Sequence, residues 1–215
     1  MNKYNPKIHH RKSIRLKGYD YSQAGLYFIT IATQNRKCLF GNIINDEMIL
    51  NDAGVMINQT WNEIPSQYNN TKLHEYIVMP NHFHGIIEIV GAPLVGAQND
   101  AEIPMNQPSE KGQPQGKGQP QGIAPTVGNI VGGFKSITTN EYIRGVKHKH
   151  WQRFDGKLWQ RNYWEHIIRN ENEYLRITQY IMNNPKKWAL DKLNDGMGNA
   201  VMEQQPFYCQ EVWMV

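Results

Sequence analysis

The spacing of apolar and polar positions along the chain predicts four buried strands and three helices. Runs of β-branched and aromatic residues predict strands at 26–33, 73–79, 82–90 and 163–169. Apolar residues at helical spacing predict helices at about 52–64, 127–142 and 170–184. A small hairpin is expected over 42–50, with its turn at Asn45–Asp46. Residues 143–158 are basic and are expected to form a loop.

Two of the predicted helices have capping signals. Asn51 or Asp52 can cap the first helix, because a short polar side chain accepts a hydrogen bond from the first free backbone N–H groups. Asn170 is expected to cap the last helix, with Glu173 as its capping-box partner. In both cases a proline follows the periodic segment and is expected to end the helix.

The order of elements predicts the fold class. Six elements follow one another as β-α-β-β-α-β, which is typical of an α+β, ferredoxin-like or RRM-like antiparallel sheet with two helices on one face. The additional C-terminal helix is expected to cover the other face. We expect one domain over 20–190, preceded by a basic arm at 1–19 and followed by a tail at 191–215.

One internal segment has a different composition from the rest. Residues 91–125 are rich in Gly, Pro, Gln and Ala, and the hexapeptide KGQPQG occurs twice in tandem at 111–122. Such a segment has little apolar area to bury, so it is interpreted as a flexible surface insertion within the domain.

Composition narrows the class of protein. The chain has 215 residues, of which 40% are hydrophobic and 20% charged, as in globular proteins. Its two cysteines, Cys38 and Cys209, form no disulfide framework, which favours a reducing, cytoplasmic location. The longest apolar stretch, 85–94, is far shorter than the roughly 20 residues of a membrane span, and no signal peptide is expected.

Basic residues are concentrated in two regions of the chain. Residues 1–19 contain six Lys or Arg and no acid, whereas 135–169 contain eight basic residues against three acidic ones. Clustered charges neutralise phosphates at contact range, so nucleic-acid binding and a merely solvated surface both remain open at this point.

The third predicted strand begins with His82-Phe83-His84. Side chains alternate across a strand, so the two imidazoles share a face and can converge on one metal ion. Two buried histidines satisfied by hydrogen bonds are the alternative. Glu88 is expected on the same face. A second pair, His148 and His150, lies in a polar segment and is interpreted as solvated loop.

The last predicted helix carries Tyr180, with Asn184 one turn later. The expected packing stripe of this helix is Tyr174, Leu175, Thr178, Ile181 and Met182. If the face of Tyr180 lies on the sheet, its hydroxyl and the Asn184 amide approach the two histidines. That combination suits phosphodiester cleavage by a tyrosine nucleophile beside a metal ion. A tyrosine at the edge of the core is the alternative.

These residues resemble the HUH single-tyrosine transposases of the insertion-sequence-200 type, and most closely the REP-associated tyrosine transposases. The resemblance rests on VMPNHFHGIIEI at 78–89 and QYIMNNPKKW at 179–188. Supporting stretches are GLYFITIATQNRKCLFG at 25–41, VGGFKSITTNEYIR at 131–144 and LWQRNYWEHIIR at 158–169. It covers about 20–90 and 126–190, leaving out the insertion and the tail.

The resemblance implies a metal-dependent single-strand DNA endonuclease and strand transferase that acts in DNA transposition. It implies Tyr180 as the nucleophile and His82, His84 and Asn184 as ligands of Mg²⁺ or Mn²⁺. The implied substrate is single-stranded DNA next to a hairpin or palindrome, cleaved through a 5′-phosphotyrosine. The implied protein is a monomer or a homodimer, and we favour the monomer.

Charge adds candidate contacts to the DNA backbone. They are Arg11, Lys12, Arg15, Lys17, Lys135, Arg161 and Arg169. Aromatic residues such as Trp159, Tyr163 and Trp164 can stack on unpaired bases, although core packing is the commoner role.

Two other functions fit parts of the pattern. One is a domesticated nucleic-acid-binding regulator that uses an RRM-like sheet without catalysis. The other is a zinc hydrolase in which a residue such as His166 joins His82 and His84.

Overall fold

The computed structural model describes residues 23–90 and 125–194. Its strands are β1 Gly25–Ala32, β2 Gly41–Ile44, β3 Glu47–Leu50, β4 Thr71–Val78, β5 His82–Ile89 and β6 Trp164–Ile168. Its helices are α1 Asp52–Asn62, α2 Ile64–Gln67, α3 Val127–His148 and α4 Glu171–Asn183, with 3₁₀ turns at Gln34–Arg36 and Pro185–Leu190. The expected basic arm at 1–19 and all of the expected insertion but its last residue lie outside the described residues.

Four strands form one antiparallel sheet in the order β4-β5-β1-β6. Strands β2 and β3 form a separate hairpin whose turn residues, Asn45 and Asp46, both have positive φ, as a two-residue hairpin turn requires. The β-α-β-β-α-β order and the additional C-terminal helix confirm the predicted α+β fold class. Strand β5, which carries the histidines, is a central strand of this sheet.

The two faces of the sheet carry different hydrophobic clusters, because side chains alternate along each strand. Tyr27, Ile29 and Ile31 of β1 belong to the larger cluster, which also includes buried residues of α1 and α3. Phe28 of β1 lies in the smaller cluster with Ile177 and other buried residues of α4. Helix α4 therefore covers the second face, as predicted, and this is the face of the two histidines.

Helix α3 is longer than the sequence predicts, because it continues through 143–148. Within this extension, Gly145 lies against the Trp151 ring, and a Cβ there would come within 2.2 Å of a ring atom, so the close packing requires glycine. Gly132 and Gly133, earlier in this helix, have different surroundings. A Cβ on Gly133 would lie 2.5 Å from the Tyr68 hydroxyl, whereas Gly132 has open space around it.

The packing stripe of α4 differs from the predicted one. Ile177 and Ile181 are buried, but Leu175 and Met182 are 50% and 60% exposed, so their assignment to the stripe was wrong. Tyr174 and Ile181 of the predicted stripe do pack in the smaller cluster. Ile177, one turn before Ile181, joins them in the cluster that contains Phe28 and Ile86. Asn170 caps the helix by accepting from the backbone N–H of Glu173 at 2.9 Å.

Pro65 and Pro185, which the sequence predicts to end helices, each lie at the start of a further short helical segment. Pro65 lies in the first turn of the short helix α2, where its missing N–H has no intrahelical partner to lose. Pro185 likewise begins the 3₁₀ turn Pro185–Leu190. That turn directs residues 191–194 back onto the domain, where Leu193 is buried. Part of the segment that the sequence assigned to the tail, including the buried Leu193, therefore packs with the domain.

Candidate metal and nucleophile site

Strand β5 places both histidines on the face covered by α4. Phe83, between them, points into the larger cluster and packs on Trp61 with ring centroids 4.4 Å apart. His82 and His84 therefore point the other way, with their ring centroids 4.5 Å apart. Both side chains are buried, at 0% and 2% exposure. The sequence prediction of a shared face is borne out by this geometry.

His82 uses only one of its two ring nitrogens in a hydrogen bond. Its Nδ1 lies 2.8 Å from Oδ1 of Asn81, an oxygen that can only accept, so the proton lies on Nδ1. Its Nε2 is buried and has no hydrogen-bond partner. A buried nitrogen lone pair without a donor is costly unless a cation or another donor meets it.

Two oxygen-bearing side chains face this nitrogen. Asp191 Oδ2 lies 3.9 Å from His82 Nε2, and the Asp191 side chain is only 11% exposed. Its other oxygen, Oδ1, accepts from the backbone N–H of Leu193 at 2.7 Å. Asn184, 2% exposed, has a buried Oδ1 without a hydrogen-bond partner. Asp191 was not among the residues that the sequence predicted for the site.

His84 contacts both a threonine and the candidate nucleophile. Its Nδ1 lies 2.8 Å from Oγ1 of Thr30, its neighbour on β1. Its Nε2 lies 3.4 Å from the hydroxyl of Tyr180. Phe28 supports both rings, with centroids 5.4 Å from His84 and 6.1 Å from Tyr180. The predicted tyrosine and histidine pair therefore meet in one place.

Burial sets the charges in this site. It lowers the pKa of His84 to about 3. It also lowers the pKa of His82 well below its usual value; the adjacent His84 lowers that pKa further, and the Asn184 side chain partly offsets the effect. Burial raises the pKa of Asp191, against the opposing effects of the Leu193 N–H, the charge of Arg36 and the Asn184 side chain. Both imidazoles are thus neutral near pH 7, the form that binds metal ions.

The chemistry of these groups fits a metal ion. Among residues 23–90 and 125–194, His82, His84 and Asp191 form a cluster whose potential ligand atoms all lie within 4.8 Å of one another. Asn184 adds an unpartnered amide oxygen beside them. The site contains two nitrogen lone pairs, a carboxylate and an amide oxygen, with too few hydrogen-bond donors to satisfy them. Such a set of atoms suits a bound cation.

Lys135 uses its ammonium group in hydrogen bonds within the protein. Its Nζ donates to the backbone oxygens of Gln160 and Asn162, at 2.9 and 3.1 Å, and is close to that of Arg161. Burial lowers the pKa of Lys135 to about 8. The side chain anchors the segment before β6, and its contact with DNA stays a prediction.

Most of the other candidate residues lie away from the cluster. Arg161 and Arg169 are exposed at the two ends of the segment that contains β6, whereas Arg11, Lys12, Arg15 and Lys17 lie outside the described residues. His148 and His150 are exposed, as predicted, although His148 is the last residue of helix α3 rather than part of a loop. Glu88 is 2.9 Å from His74 rather than at the His pair, and His166 is 2.6 Å from Glu173, which argues against His166 as a third ligand.

The three aromatic candidates for base stacking have different surroundings. Trp159 is 4% exposed, and its Nε1 donates to Thr138 Oγ1 at 2.9 Å, so it is a core residue. Tyr163 packs against the larger cluster beside Lys135. Trp164 is half-buried and packs edge-on against Phe28, with ring centroids 5.4 Å apart. Of these three residues, Trp164 is the one that packs against Phe28, as Tyr180 does.

Comparison with known proteins gives a close sequence relative. An uncharacterised protein of Haemophilus influenzae is 44% identical over 194 residues, which cover 89% of this chain and 97% of that protein. The chain belongs to the same family as this protein. No protein-family model matches the chain.

Two solved structures resemble the fold at 18% identity. A REP-associated tyrosine transposase bound to a REP hairpin has a TM-score of 0.45, with 83% of this chain and 77% of that chain covered. A transposase described as putative, from Deinococcus radiodurans, has a TM-score of 0.40, with 80% and 97% covered. At these scores the functional case rests on the side chains of the site. In the described part of the chain, no helix has the length and apolar character to span a membrane.

Proposed function

We propose that this protein is a metal-dependent single-strand DNA endonuclease and strand transferase of the tyrosine transposase kind. The observation that carries the proposal is the meeting of Tyr180 with the histidine cluster. A phenol oxygen lies 3.4 Å from His84 Nε2, next to a buried group of metal-binding atoms. A nucleophile beside a cation site is what phosphodiester cleavage through a covalent intermediate needs. The sequence motifs at 78–89 and 179–188 support the same activity.

The residues that would hold the metal are His82, His84, Asp191 and Asn184. A bound Mg²⁺ or Mn²⁺ would polarise the scissile phosphate and offset the charge that builds on its oxygens. The Asp191 carboxylate makes the set more anionic than the sequence predicts, which suits a hard divalent cation.

The chain's own residues define the reacting geometry. Phe28 holds the rings of Tyr180 and His84 from one side, which restricts where the phenol oxygen can lie. In the proposed step this oxygen attacks the phosphorus of a DNA phosphodiester, and the bond from phosphorus to the 3′ oxygen breaks. Tyr180 loses its phenolic proton and the departing 3′ oxygen gains one. The products are a 5′-phosphotyrosine and a free 3′-hydroxyl, which can reverse the step on another strand without ATP.

The proposed substrate is single-stranded DNA next to a hairpin or palindrome. A single strand suits a site in which one phosphate must enter between a helix and a sheet. Exposed Arg161 and Arg169 are proposed phosphate contacts, and Trp164 is a proposed platform for an unpaired base. We propose that the protein acts as a monomer, because the contact between Tyr180 and His84 forms within one chain.

A cleavage assay tests this proposal. Purified protein is incubated with single-stranded oligonucleotides from palindromic repeats that flank its gene, with Mn²⁺ or with excess EDTA. We expect cleavage in Mn²⁺, none in EDTA, and none with Tyr180→Phe. Tyr174→Phe is the matched control, because Tyr174 lies on the same helix but contacts His74 instead. Cleavage by Tyr180→Phe at the wild-type rate would show that the nucleophile is another group.

One observation also fits a second candidate, a zinc hydrolase. Two histidines and a carboxylate form the ligand set of several zinc hydrolases. That function predicts stoichiometric zinc in the purified protein and hydrolysis that survives Tyr180→Phe. Hairpin binding without metal-dependent cleavage would instead favour the non-catalytic regulator.

A further inference from the structure

Asn81, the residue before the first histidine, connects three separate segments of the chain. It is 1% exposed, and its side chain makes three hydrogen bonds. Nδ2 donates to the backbone oxygens of Arg36 and Leu193, at 3.0 and 2.6 Å, and Oδ1 faces Nδ1 of His82. Asn81 was not among the residues that the sequence predicted for the site.

The partners of Asn81 determine which way its amide points. Both backbone oxygens can only accept, so the amide nitrogen must lie on their side. The amide oxygen must then face His82, whose Nδ1 has to be the donor. This arrangement fixes the tautomer of His82, with the proton on Nδ1 and the lone pair on Nε2, the nitrogen that faces Asp191.

The same amide also holds the segment that carries the carboxylate. Leu193 lies two residues after Asp191, and its backbone N–H donates to Asp191 Oδ1 while its backbone oxygen accepts from Asn81. Thr33 also holds the backbone of Asn81. The backbone N–H and the side-chain hydroxyl of Thr33 both donate to the backbone oxygen of Asn81, at 2.8 and 3.0 Å. Asn81 is therefore held in place and links His82 to the segment that carries Asp191.

We propose that Asn81 is a positioning residue that aims two metal ligands at one point, by setting the tautomer of His82 and by fixing the segment that carries Asp191. The inference rests on the proposed metal site and adds a residue that acts through its ligands. Removing a group that hydrogen-bonds to the non-coordinating nitrogen of a ligand histidine typically lowers metal affinity or activity 10- to 100-fold. The two contributions are separable, because Oδ1 serves His82 and Nδ2 serves the segment of Asp191.

The test compares Asn81→Leu, which removes all three hydrogen bonds, with Asn81→Asp, which keeps only the acceptor for His82. Asn51→Leu is the matched control, because the Asn51 side chain also bonds backbone groups, the oxygen of Leu39 and the N–H of Gly54, but makes no hydrogen bond to His82 or to residues 191–194. Two quantities are measured on the full chain without DNA. They are the dissociation constant for Mn²⁺ by calorimetry and the ring ¹⁵N shifts of His82 in metal-free protein, which report the tautomer.

We expect wild type and Asn81→Asp to keep the proton of His82 on Nδ1, and Asn81→Leu to lose this preference. Both Asn81 variants should bind Mn²⁺ about 10- to 100-fold more weakly, whereas Asn51→Leu should bind within about threefold of wild type. An unchanged tautomer in Asn81→Leu, or Mn²⁺ affinity within twofold of wild type in both variants, would overturn the role of Asn81. If wild type binds no Mn²⁺, the proposed metal site fails, and the ¹⁵N shifts still decide the role of Asn81 in setting the tautomer.

Discussion

The hydroxyl of Tyr180 lies 3.4 Å from Nε2 of His84, although the two residues are 96 positions apart in the chain. The contact joins the C-terminal helix to a central strand of the sheet. It also brings the buried Asn184, one helical turn after Tyr180, next to the side chains of His82 and Asp191. The proposed activity follows from this meeting of a phenol with a set of metal-binding atoms.

Replacing Tyr180 with Phe should remove chemistry and leave the fold intact. The variant loses one hydroxyl but keeps the ring that packs on Phe28. The free energy of unfolding should change by about 0.5–1.5 kcal/mol, the usual value of a single hydrogen bond. Binding of a single-stranded hairpin should stay within about threefold of wild type. Urea unfolding and a fluorescence binding assay measure the two quantities. A large loss of stability would mean that the hydroxyl is structural.

Replacing His82 with Ala or Asp191 with Asn should weaken binding of Mn²⁺ by at least about tenfold, because each change removes a proposed ligand atom or its charge. Calorimetric titration of the metal-free protein measures this. Asp155→Asn is a matched control, because Asp155 is exposed and pairs with Lys37 instead. Equal affinity in wild type and Asp191→Asn would show that Asp191 is not a ligand.

The sequence predicts the fold and four of the five residues of the proposed site, all but Asp191, for physical reasons. Alternation along β5 is a local property, so it placed His82 and His84 on one face, and helical spacing placed Asn184 beside Tyr180. Asp191 was missed because no local pattern carries it to the site. The 3₁₀ turn after Pro185 does so, together with contacts to a distant segment that include the hydrogen bond from Asn81 to Leu193.

Individual positions of α4 and α3 show a similar limit. Leu175 is as apolar as Ile177, and only the position of Phe28 beneath the helix decides which of them is buried. Lys135 resembles any surface lysine in the sequence, and its role depends on backbone oxygens 25 to 27 residues later. Tertiary contacts of this kind have no signature in spacing or composition.

Replacing Glu173 with Gln should destabilise the protein in a pH-dependent way. Burial alone would raise the pKa of Glu173. Its carboxylate accepts hydrogen bonds from the Arg169 N–H and from His166, and the charges of His166 and Arg169 also stabilise it, so the pKa is lowered overall. A carboxylate with a lowered pKa adds stability above its usual value of 4.5, and this is lost as the pH falls through its folded-state pKa. The variant should therefore be less stable by about 1–3 kcal/mol at pH 7, with a difference that shrinks below pH 4.5.

Unfolding by urea between pH 3 and 8 measures the stability difference. Glu171→Gln is its control, since Glu171 is an exposed acid in the same first turn of α4. A difference between wild type and Glu173→Gln that stays constant across the pH range would contradict the assignment.

Replacing Trp164 with Ala should weaken binding of single-stranded DNA by about 1–3 kcal/mol, the usual value of one stacked base. Trp164→Phe, which keeps an aromatic ring against Phe28, should recover most of that loss. Fluorescence anisotropy with a labelled hairpin that has a single-stranded flank measures both variants. Unchanged affinity in Trp164→Ala would exclude the proposed platform for an unpaired base.

The most direct test of the central claim is covalent trapping of the intermediate. Protein, Mn²⁺ and a 3′-labelled single-stranded oligonucleotide from a flanking palindrome are mixed and resolved on a denaturing gel. The label stays on the fragment that a 5′-phosphotyrosine retains, so it should run with wild-type protein and with Tyr174→Phe, but not with Tyr180→Phe. An adduct of equal yield in Tyr180→Phe, or cleavage of the oligonucleotide by wild type without any labelled protein, would contradict Tyr180 as the nucleophile.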